Sequence, residues 1–162
     1  GRRFDSNQDS LWERRRQPMD IIIGSDHAGF EAKEYVKTLL LERGLTVEDK
    51  GCFSTESVHY PIYAKAVAHG VAAGEAPRGI LICGTGIGMS IAANKVKGDR
   101  AALCHNAFTA QACREQNDAN ILCLGARVLT QEQIREIVEI WLDTEFAGGR
   151  HAIRVAMLEE DE

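Results

Sequence analysis

Short apolar runs alternate with amphipathic segments along the chain from Asp20 onward. The runs are rich in Ile, Leu, Val and Cys, a composition typical of strands buried on both faces. In the segments between them, apolar residues recur at the spacing of one helix face, as in 31–42 and 131–142. The predicted strands are 21–24, 45–47, 79–83, 100–104 and 120–124, and the shorter predicted helices are 61–73 and 109–114.

Alternation of strands and helices predicts an α/β fold, in which helices cover both faces of a parallel sheet. Gly44 and Gly74 follow two of the predicted helices, at the position where glycine commonly ends a helix. Ligands of such sheets bind beyond the carboxyl ends of the strands. The residues that follow each predicted strand are therefore the first place to look for a functional site.

Chain length favours one domain over two. The 162 residues suit a single core, and we expect that domain to span 19–162. Residues 1–18 are polar, lack periodicity and end at Pro18. We interpret them as a tag remnant or a disordered extension, with a natural basic arm as the alternative.

Composition narrows the choice of partners and compartment. The formal net charge of -5 favours neither nucleic acid nor an anionic membrane as a partner. No apolar run approaches the roughly 18 residues of a membrane span. The five cysteines form no C-x-x-C pair and no Cys/His cluster at zinc spacing, so no metal site is predicted. This use of cysteine fits a reducing, cytoplasmic compartment.

The first predicted strand is followed by a tight, glycine-flanked turn that carries Asp26 and His27. A carboxylate and an imidazole side by side at the start of a helix suit polar catalysis or anion binding. The alternative is that Asp26 only caps the helix. The glycines on both sides favour the functional interpretation.

A glycine-rich loop follows the third predicted strand and opens a helix. Gly84, Gly86 and Gly88 alternate in it, so the backbone can approach a ligand and direct several N–H groups at it. The loop therefore predicts an anion hole, although it matches neither a Walker A loop nor a dinucleotide fingerprint. Cys83 stands at its entrance, where the N–H groups are expected to lower the thiol pKa and produce a competent base. The alternative is a buried cysteine at a strand end.

Further candidates lie later in the chain. His105 follows the fourth predicted strand and is either functional or a solvated loop residue. We also expect 116–118, which reads Gln-Asn-Asp, to lie at a strand end. Arg127 follows a glycine after the last predicted strand, and Arg150 and Arg154 are four apart on one predicted helix face. Guanidinium groups commonly bind phosphate, although a solvated basic face would show the same spacing.

Together these motifs resemble the type B ribose-5-phosphate isomerase family. The motif GSDHAG lies at 24–29, ICGTGIG at 82–88, NDAN at 117–120 and GGRH at 148–151, with Arg154 beyond. They occur in the order and approximate spacing of that family, and the similarity extends from near Met19 to Val155. Allose-6-phosphate isomerase and the galactose-6-phosphate isomerase subunits belong to the same group. The resemblance is therefore more specific for the family than for the substrate.

The resemblance implies a Rossmann-like, three-layer sandwich with a five-stranded parallel sheet. It also implies a homodimer, or a dimer of dimers, whose active sites lie between subunits. The implied activity is the interconversion of ribose 5-phosphate and ribulose 5-phosphate through an enediolate, with no metal and no organic cofactor. The implied catalytic residues are Cys83 as the base, with Thr85 and Asp26 at the sugar oxygens. The implied binding residues are Gly84, Gly86, Ile87, Gly88 and Asn117 for the enediolate oxygens, and His27, Arg127, Arg150 and Arg154 for the phosphate.

One residue departs from the family pattern. Members of the family commonly have a histidine before Asn-Asp, where it helps to open the cyclic sugar, and this chain has Gln116. Glutamine does not titrate near neutral pH and cannot replace that acid. Either His105 has taken over ring opening, or the preferred substrate is already open-chain, such as a tetrose 4-phosphate.

Other functions compete with this one. The chain could isomerise allose 6-phosphate or galactose 6-phosphate, or bind a phosphosugar without turnover. Retention of Cys83 with Thr85 and Asp26 argues against a binding protein, because binding alone requires no thiol base. A nucleotide-dependent enzyme is disfavoured by the glycine spacing and by the absence of a Walker lysine.

Overall fold

Five parallel strands form one sheet, in the order β2-β1-β3-β5-β4. The computed structural model describes residues 19–161, so the interpretation of 1–18 lies outside the described residues. The strands are β1 (Ile21–Ser25), β2 (Val47–Asp49), β3 (Arg78–Cys83), β4 (Ala101–Leu103) and β5 (Ile121–Gly125). Each of the five apolar runs overlaps one of these strands. The predicted α/β fold with a five-stranded parallel sheet is confirmed.

The strand predicted at 45–47 begins two residues later than expected. The N–H of Leu45 still donates to the carbonyl of Leu40, and Gly44 has a φ of +77°, which only glycine adopts readily. Leu45 therefore belongs to the helix ending, and pairing with β1 starts where Ile21 lies opposite Val47.

Six helices lie in the described part of the chain. They are α1 (Phe30–Glu42), α2 (Tyr60–Ala72), α3 (Ile87–Asn94), α4 (Ala107–Glu115), α5 (Gln131–Asp143) and α6 (Arg150–Leu158). The predicted helix at 109–114 starts earlier than expected because Asn106 and Thr109 form a capping box, in which each side chain accepts the other's backbone N–H.

The sheet separates two apolar cores, as expected for three layers. On one face, Val36 and Leu40 of α1 and Trp141 of α5 pack against Ile80 and Ile82 of β3. The cluster on the other face joins α2 and α3 to the strands and includes Val67, Met89, Leu81, Cys123 and Cys83. Side chains therefore alternate between the two cores along β3, which lies at the centre of the sheet.

Helix α6 differs from the other helices because none of its residues is buried. Ile153 is 67% exposed, Met157 62% and Leu158 64%. Beyond the helix, Glu159 forms an ion pair with Arg100 at 2.7 Å. These apolar side chains of α6 thus lie largely exposed at the surface. No helix in residues 19–161 is long and apolar enough to span a membrane.

Asp99, in the loop between α3 and β4, is a buried carboxyl group. It is 7% exposed, and neither carboxyl oxygen has a hydrogen-bonding partner among the described residues. Burial raises the pKa of Asp99 to about 7, opposed by Arg100 and reinforced by Glu159. The folded state therefore favours the neutral acid, and ionisation of this group costs stability.

We predict that Asp99→Asn stabilises the protein at alkaline pH, because the amide cannot ionise. In the folded state the carboxyl group keeps its proton up to about pH 7, whereas the unfolded group loses it near 3.8. Wild-type stability should therefore fall as pH rises between these values. The advantage of the variant should grow from about pH 5 to about pH 8 and reach about 1–3 kcal/mol.

Denaturant unfolding at each pH measures this effect. Glu136→Gln, at an exposed position of α5, is the matched control and should show no such growth. An advantage of Asp99→Asn that stays constant across the range would contradict the assignment.

Candidate functional site

The carboxyl ends of β1 and β3 meet at the centre of the sheet. Ser25 lies opposite Ile82 in the ladder, and the N–H of Asp26 donates to the carbonyl of Ile82 at 3.2 Å. Asp26 and Cys83, the residues after these two, are therefore neighbours across the strand pair. Strand order reverses between β1 and β3, which is where open α/β sheets bind ligands.

Cys83 is the last residue of β3 and is 5% exposed. Its side chain borders the core under α2 and α3. The sulfur accepts the backbone N–H of Gly86 at 3.1 Å. The thiol is thus buried, as the alternative interpretation required, but its sulfur faces the glycine-rich loop. The loop thus presents a backbone N–H donor directly to this sulfur.

The glycine-rich loop lies directly on the ends of β4 and β5. A Cβ atom at Gly86 would be 2.5 Å from Leu103 Cδ1, and φ there is +78°. A Cβ atom at Gly125 would be 2.6 Å from the carbonyl oxygen of Thr85. These approaches exclude any side chain, so glycine at both positions fixes the path of the loop past Cys83.

Thr85 sits at the exposed rim of this loop. Its Oγ1 accepts the N–H of Ile87 at 3.2 Å, and α3 begins at Ile87. The first N–H groups of a helix have no partner within the helix, and the helix dipole places partial positive charge there. The segment 84–88 can therefore stabilise negative charge next to the sulfur of Cys83.

The turn after β1 holds Asp26 and His27 by hydrogen bonds. Asp26 Oδ1 accepts the N–H of Gly29 at 3.0 Å, and Gly29 is the N-cap residue of α1. Asp26 therefore stabilises the turn before the helix and does not itself occupy the cap position. His27 Nδ1 accepts the N–H of Val58 at 3.1 Å, which leaves Nε2 of a neutral imidazole as a donor.

Arg127 and His105 lie at the same edge of the sheet as Cys83. The N–H of Arg127 donates to the carbonyl of Gly84, and a Cβ atom at Gly84 would lie 3.4 Å from Arg127 Cδ. His105 is exposed in the loop after β4, and its N–H donates to Thr109 Oγ1 at 3.1 Å. The structure thus gathers Asp26, His27, Cys83, Thr85, Arg127 and His105 at the carboxyl edge.

Asn117 lies elsewhere. The prediction that 116–118 follows a strand is wrong, because these residues connect α4 to the amino end of β5. Asn117 lines a cavity of about 210 Å³ together with Gln116, His151 and Arg154. The predicted helix at 109–114 and the predicted strand at 120–124 already put this segment before a strand, so its assignment to a strand end disagreed with the predicted elements themselves. Asn117 and Cys83 therefore occupy opposite edges of the sheet within one chain.

Arg150 and Arg154 both lie on α6, as predicted. Arg150 is its first residue and is exposed, and Arg154 lines the cavity beside Asn117. The predicted site residues thus form two groups. The carboxyl-edge group comprises Asp26, His27, Cys83, the 84–88 loop, His105 and Arg127, and the amino-edge group comprises Gln116, Asn117, Arg150 and Arg154.

Two residues that were given no role also touch these groups. A Cβ atom at Gly88 would lie 2.6 Å from the ring of Tyr60, which starts α2. His151 lines the cavity of Gln116 and Arg154. His151 stands inside the GGRH motif, so its position next to Arg150 was a usable signal, whereas nothing in the sequence pattern connects Tyr60 to the loop. In the described residues, no group of three or more His, Cys, Asp or Glu is arranged to hold a metal ion.

Comparison with known proteins gives consistent matches over most of the chain. Residues 21–158 match the family model described as Ribose/Galactose Isomerase. Ribose-5-phosphate isomerase B of Escherichia coli (strain K12) is 50% identical over 135 residues, which cover 83% of this chain and 91% of the relative. D-erythrulose-4-phosphate isomerase of Pectobacterium atrosepticum is 46% identical over 138 residues, which cover 85% and 91%.

A solved structure gives the same result for the fold. Ribose-5-phosphate isomerase B of Clostridium thermocellum superposes with a TM-score of 0.86 at 52% identity, covering 87% of this chain and 95% of that one. The resemblance seen in the motifs is thereby confirmed at the level of sequence and fold. The chain belongs to the ribose/galactose isomerase family and is a sugar-phosphate aldose–ketose isomerase.

Proposed function

We propose that this chain interconverts ribose 5-phosphate and ribulose 5-phosphate, with Cys83 as the base that moves the proton. The observation that carries the proposal is the hydrogen bond from the N–H of Gly86 to the sulfur of Cys83 at 3.1 Å. This contact places the sulfur against a loop whose N–H groups are able to hold an oxyanion. A relative of 50% identity bears the name ribose-5-phosphate isomerase B, which favours the pentose as substrate.

The reaction needs only proton transfers. The thiolate of Cys83 removes the proton from C2 of the open aldose, and negative charge develops on the carbonyl oxygen at C1. N–H groups of the 84–88 loop stabilise that charge, and Asn117 contributes a side-chain donor. Thr85 and Asp26 exchange protons with the sugar oxygens, and Cys83 returns its proton to C1. Preorganised donors of this kind are worth roughly 3–4 kcal/mol each to the transition state. No metal or organic cofactor is required for these steps.

The phosphate is bound by the cationic and donor groups farther from the reacting carbons. His27 Nε2 and Arg127 serve from the carboxyl edge, and Arg150 and Arg154 serve from the amino edge. Bidentate guanidinium groups suit phosphate oxygens, and binding this remote group orients C1 and C2 against the base.

Both edges cannot act on one substrate within a single chain. Strand β5 has five residues and lies between them, so they are separated by about 16 Å at roughly 3.3 Å per residue. A two-fold homodimer resolves this if the amino-edge group of one chain meets the carboxyl-edge group of its partner. The exposed apolar face of α6, which carries Arg154, would be covered in such a dimer. A dimer of dimers is compatible with the same pairing.

The five cysteines are free, which suits a reducing compartment, and we propose that the enzyme works in the cytoplasm.

A second candidate substrate is favoured by Gln116. This residue lies in the cavity of Arg154 and Asn117 and cannot donate a titrating proton to a ring oxygen. An aldotetrose 4-phosphate cannot close a furanose ring and needs no such acid. The relative named D-erythrulose-4-phosphate isomerase is consistent with this alternative.

We predict that Cys83→Ser lowers kcat on ribose 5-phosphate by about 10³-fold and changes KM little, because a serine hydroxyl is a much weaker base than a thiolate. A coupled turnover assay measures the loss. With wild-type enzyme, substrate deuterated at C2 should carry part of the label to C1 and release the rest to water, because the same base takes the deuteron and returns it.

Cys123→Ala is the matched control, since Cys123 is buried on the neighbouring strand and faces the same core. It should keep wild-type turnover. Full activity in Cys83→Ser would refute Cys83 as the base.

A substrate panel separates the two candidate substrates. If ribose 5-phosphate is the substrate and His105 opens its ring, His105→Ala should lower turnover of that sugar by about a hundredfold and leave erythrose 4-phosphate unaffected. Gln116→His should restore part of the loss in the double variant. His69→Ala, at an exposed position of α2, controls for loss of a histidine.

If the open-chain substrate is the true one, wild-type enzyme should prefer erythrose 4-phosphate. Intact ribose 5-phosphate turnover in His105→Ala would exclude His105 as the substitute acid.

A further inference from the structure

Two buried cysteines that the isomerase reaction does not use lie side by side. Cys104 follows β4 and is 1% exposed, and Cys113 lies in α4 and is 6% exposed. Their sulfur atoms are 3.7 Å apart, with the thiol of Cys104 donating to Cys113. The side chains therefore already point at each other across the junction between the edge strand and the following helix.

The surroundings make the two thiols unequal. The hydrogen bond from Cys104 lowers the pKa of Cys113, and the positive charges of Arg114 and Arg78 act in the same direction against the effect of burial. The same interaction, together with burial, raises the pKa of Cys104. The thiol of Cys113 also donates to the carbonyl of Ala110 at 3.3 Å. When Cys113 ionises, the contact with Cys104 supplies a donor to its thiolate, which is the arrangement of a reactive dithiol.

The cations beside Cys113 are fixed in place. Arg114 is almost fully buried and binds Asp118 at 2.8 Å. Arg78 donates to the carbonyl of Trp141 at 3.1 Å. Asp118 is the carboxylate that faces this pair of guanidinium groups, so the local balance near Cys113 remains positive.

We propose that Cys104 and Cys113 form a reversible disulfide when the protein meets a peroxide. The thiolate of Cys113 attacks one oxygen of hydrogen peroxide, the O–O bond breaks, and a sulfenic acid forms as hydroxide leaves and takes up a proton. The sulfur of Cys104 then attacks the sulfenic sulfur, the S–S bond forms, and the S–O oxygen leaves as water with the proton of Cys104. The two thiols are oxidised by two electrons and the peroxide is reduced to two molecules of water.

Access to these sulfurs requires only a local opening. Helix α4 has nine residues and follows the edge strand β4, so it lies at the margin of the fold. Short peripheral elements open more readily than central strands. Cys123, on β5 between β3 and β4, has a pKa raised mainly by burial and lies outside this opening.

Disulfide formation would disturb the turn that carries Asn117. A disulfide holds its sulfurs about 2.05 Å apart, so the contact of 3.7 Å must shorten. The N–H of Ala119 donates to the carbonyl of Cys113, and the N–H of Gln116 donates to that of Ala112. A shift of α4 therefore passes directly to 116–119. This consequence for activity rests on the proposed function, whereas the disulfide itself does not.

The test uses the whole protein, treated with hydrogen peroxide or left reduced, alkylated with N-ethylmaleimide and digested. We expect a cross-linked peptide that joins Cys104 to Cys113, abolished by dithiothreitol and absent from Cys104→Ala and Cys113→Ala. Cys123→Ala is the matched control and should still form it. Absence of this peptide at peroxide concentrations that oxidise Cys83 would overturn the proposal.

Turnover of ribose 5-phosphate adds a second readout. Oxidation should lower the turnover of the wild-type protein by between about tenfold and about a hundredfold, and reduction should restore it. Peroxide should lower the turnover of Cys113→Ala less than that of wild type, because only oxidation of Cys83 remains to reduce it. Equal losses in wild type and Cys113→Ala would overturn the link to Asn117. Lack of turnover in reduced protein would count against the proposed function and leave the cross-linking result intact.

Discussion

Close contact between backbone segments at the carboxyl end of the central strand is the constraint on which the site depends. Strand β3 is paired on both sides, and the loop that follows it rests on β5 where Gly125 faces the carbonyl of Thr85. On the other side, a Cβ atom at Gly29 would lie 2.4 Å from the carbonyl oxygen of Ile82. Both contacts exclude side chains and hold the strand end and the loop close to their neighbours, with the N–H of Gly86 directed at Cys83.

The same sheet that builds the thiol site also divides the molecule. All five strands run in the same direction, from the amino edge to the carboxyl edge. Residues that precede β5 and residues that follow β3 therefore lie at opposite edges. Asn117 and Arg154 share one edge, while Cys83 and Asp26 share the other. A surface helix with an unburied apolar face carries Arg154. Symmetric pairing of two chains accounts for both features with one contact.

The sequence pattern was sufficient for the strands, most helices and the carboxyl-edge group, because apolar runs and glycine spacing are local signals. It failed where the outcome depended on tertiary contacts. Asn117 is a separate case, since the predicted helix at 109–114 and the predicted strand at 120–124 already put it before a strand and not after one. The contact of Tyr60 with Gly88 and that between Cys104 and Cys113 join residues from separate elements, which no periodicity reports. Neither the sequence pattern nor the contacts within one chain report the assembly with a partner chain that we propose.

Subunit complementation tests the central claim most directly. Cys83→Ser and Arg154→Ala proteins, each inactive alone, are unfolded together, refolded and assayed. If each site takes Cys83 from one chain and Arg154 from the other, half of the dimers are mixed and one of their two sites is intact, so about one quarter of wild-type turnover returns. If both residues serve a site within one chain, every site carries a lesion. No recovered turnover in verified mixed dimers would contradict the shared site.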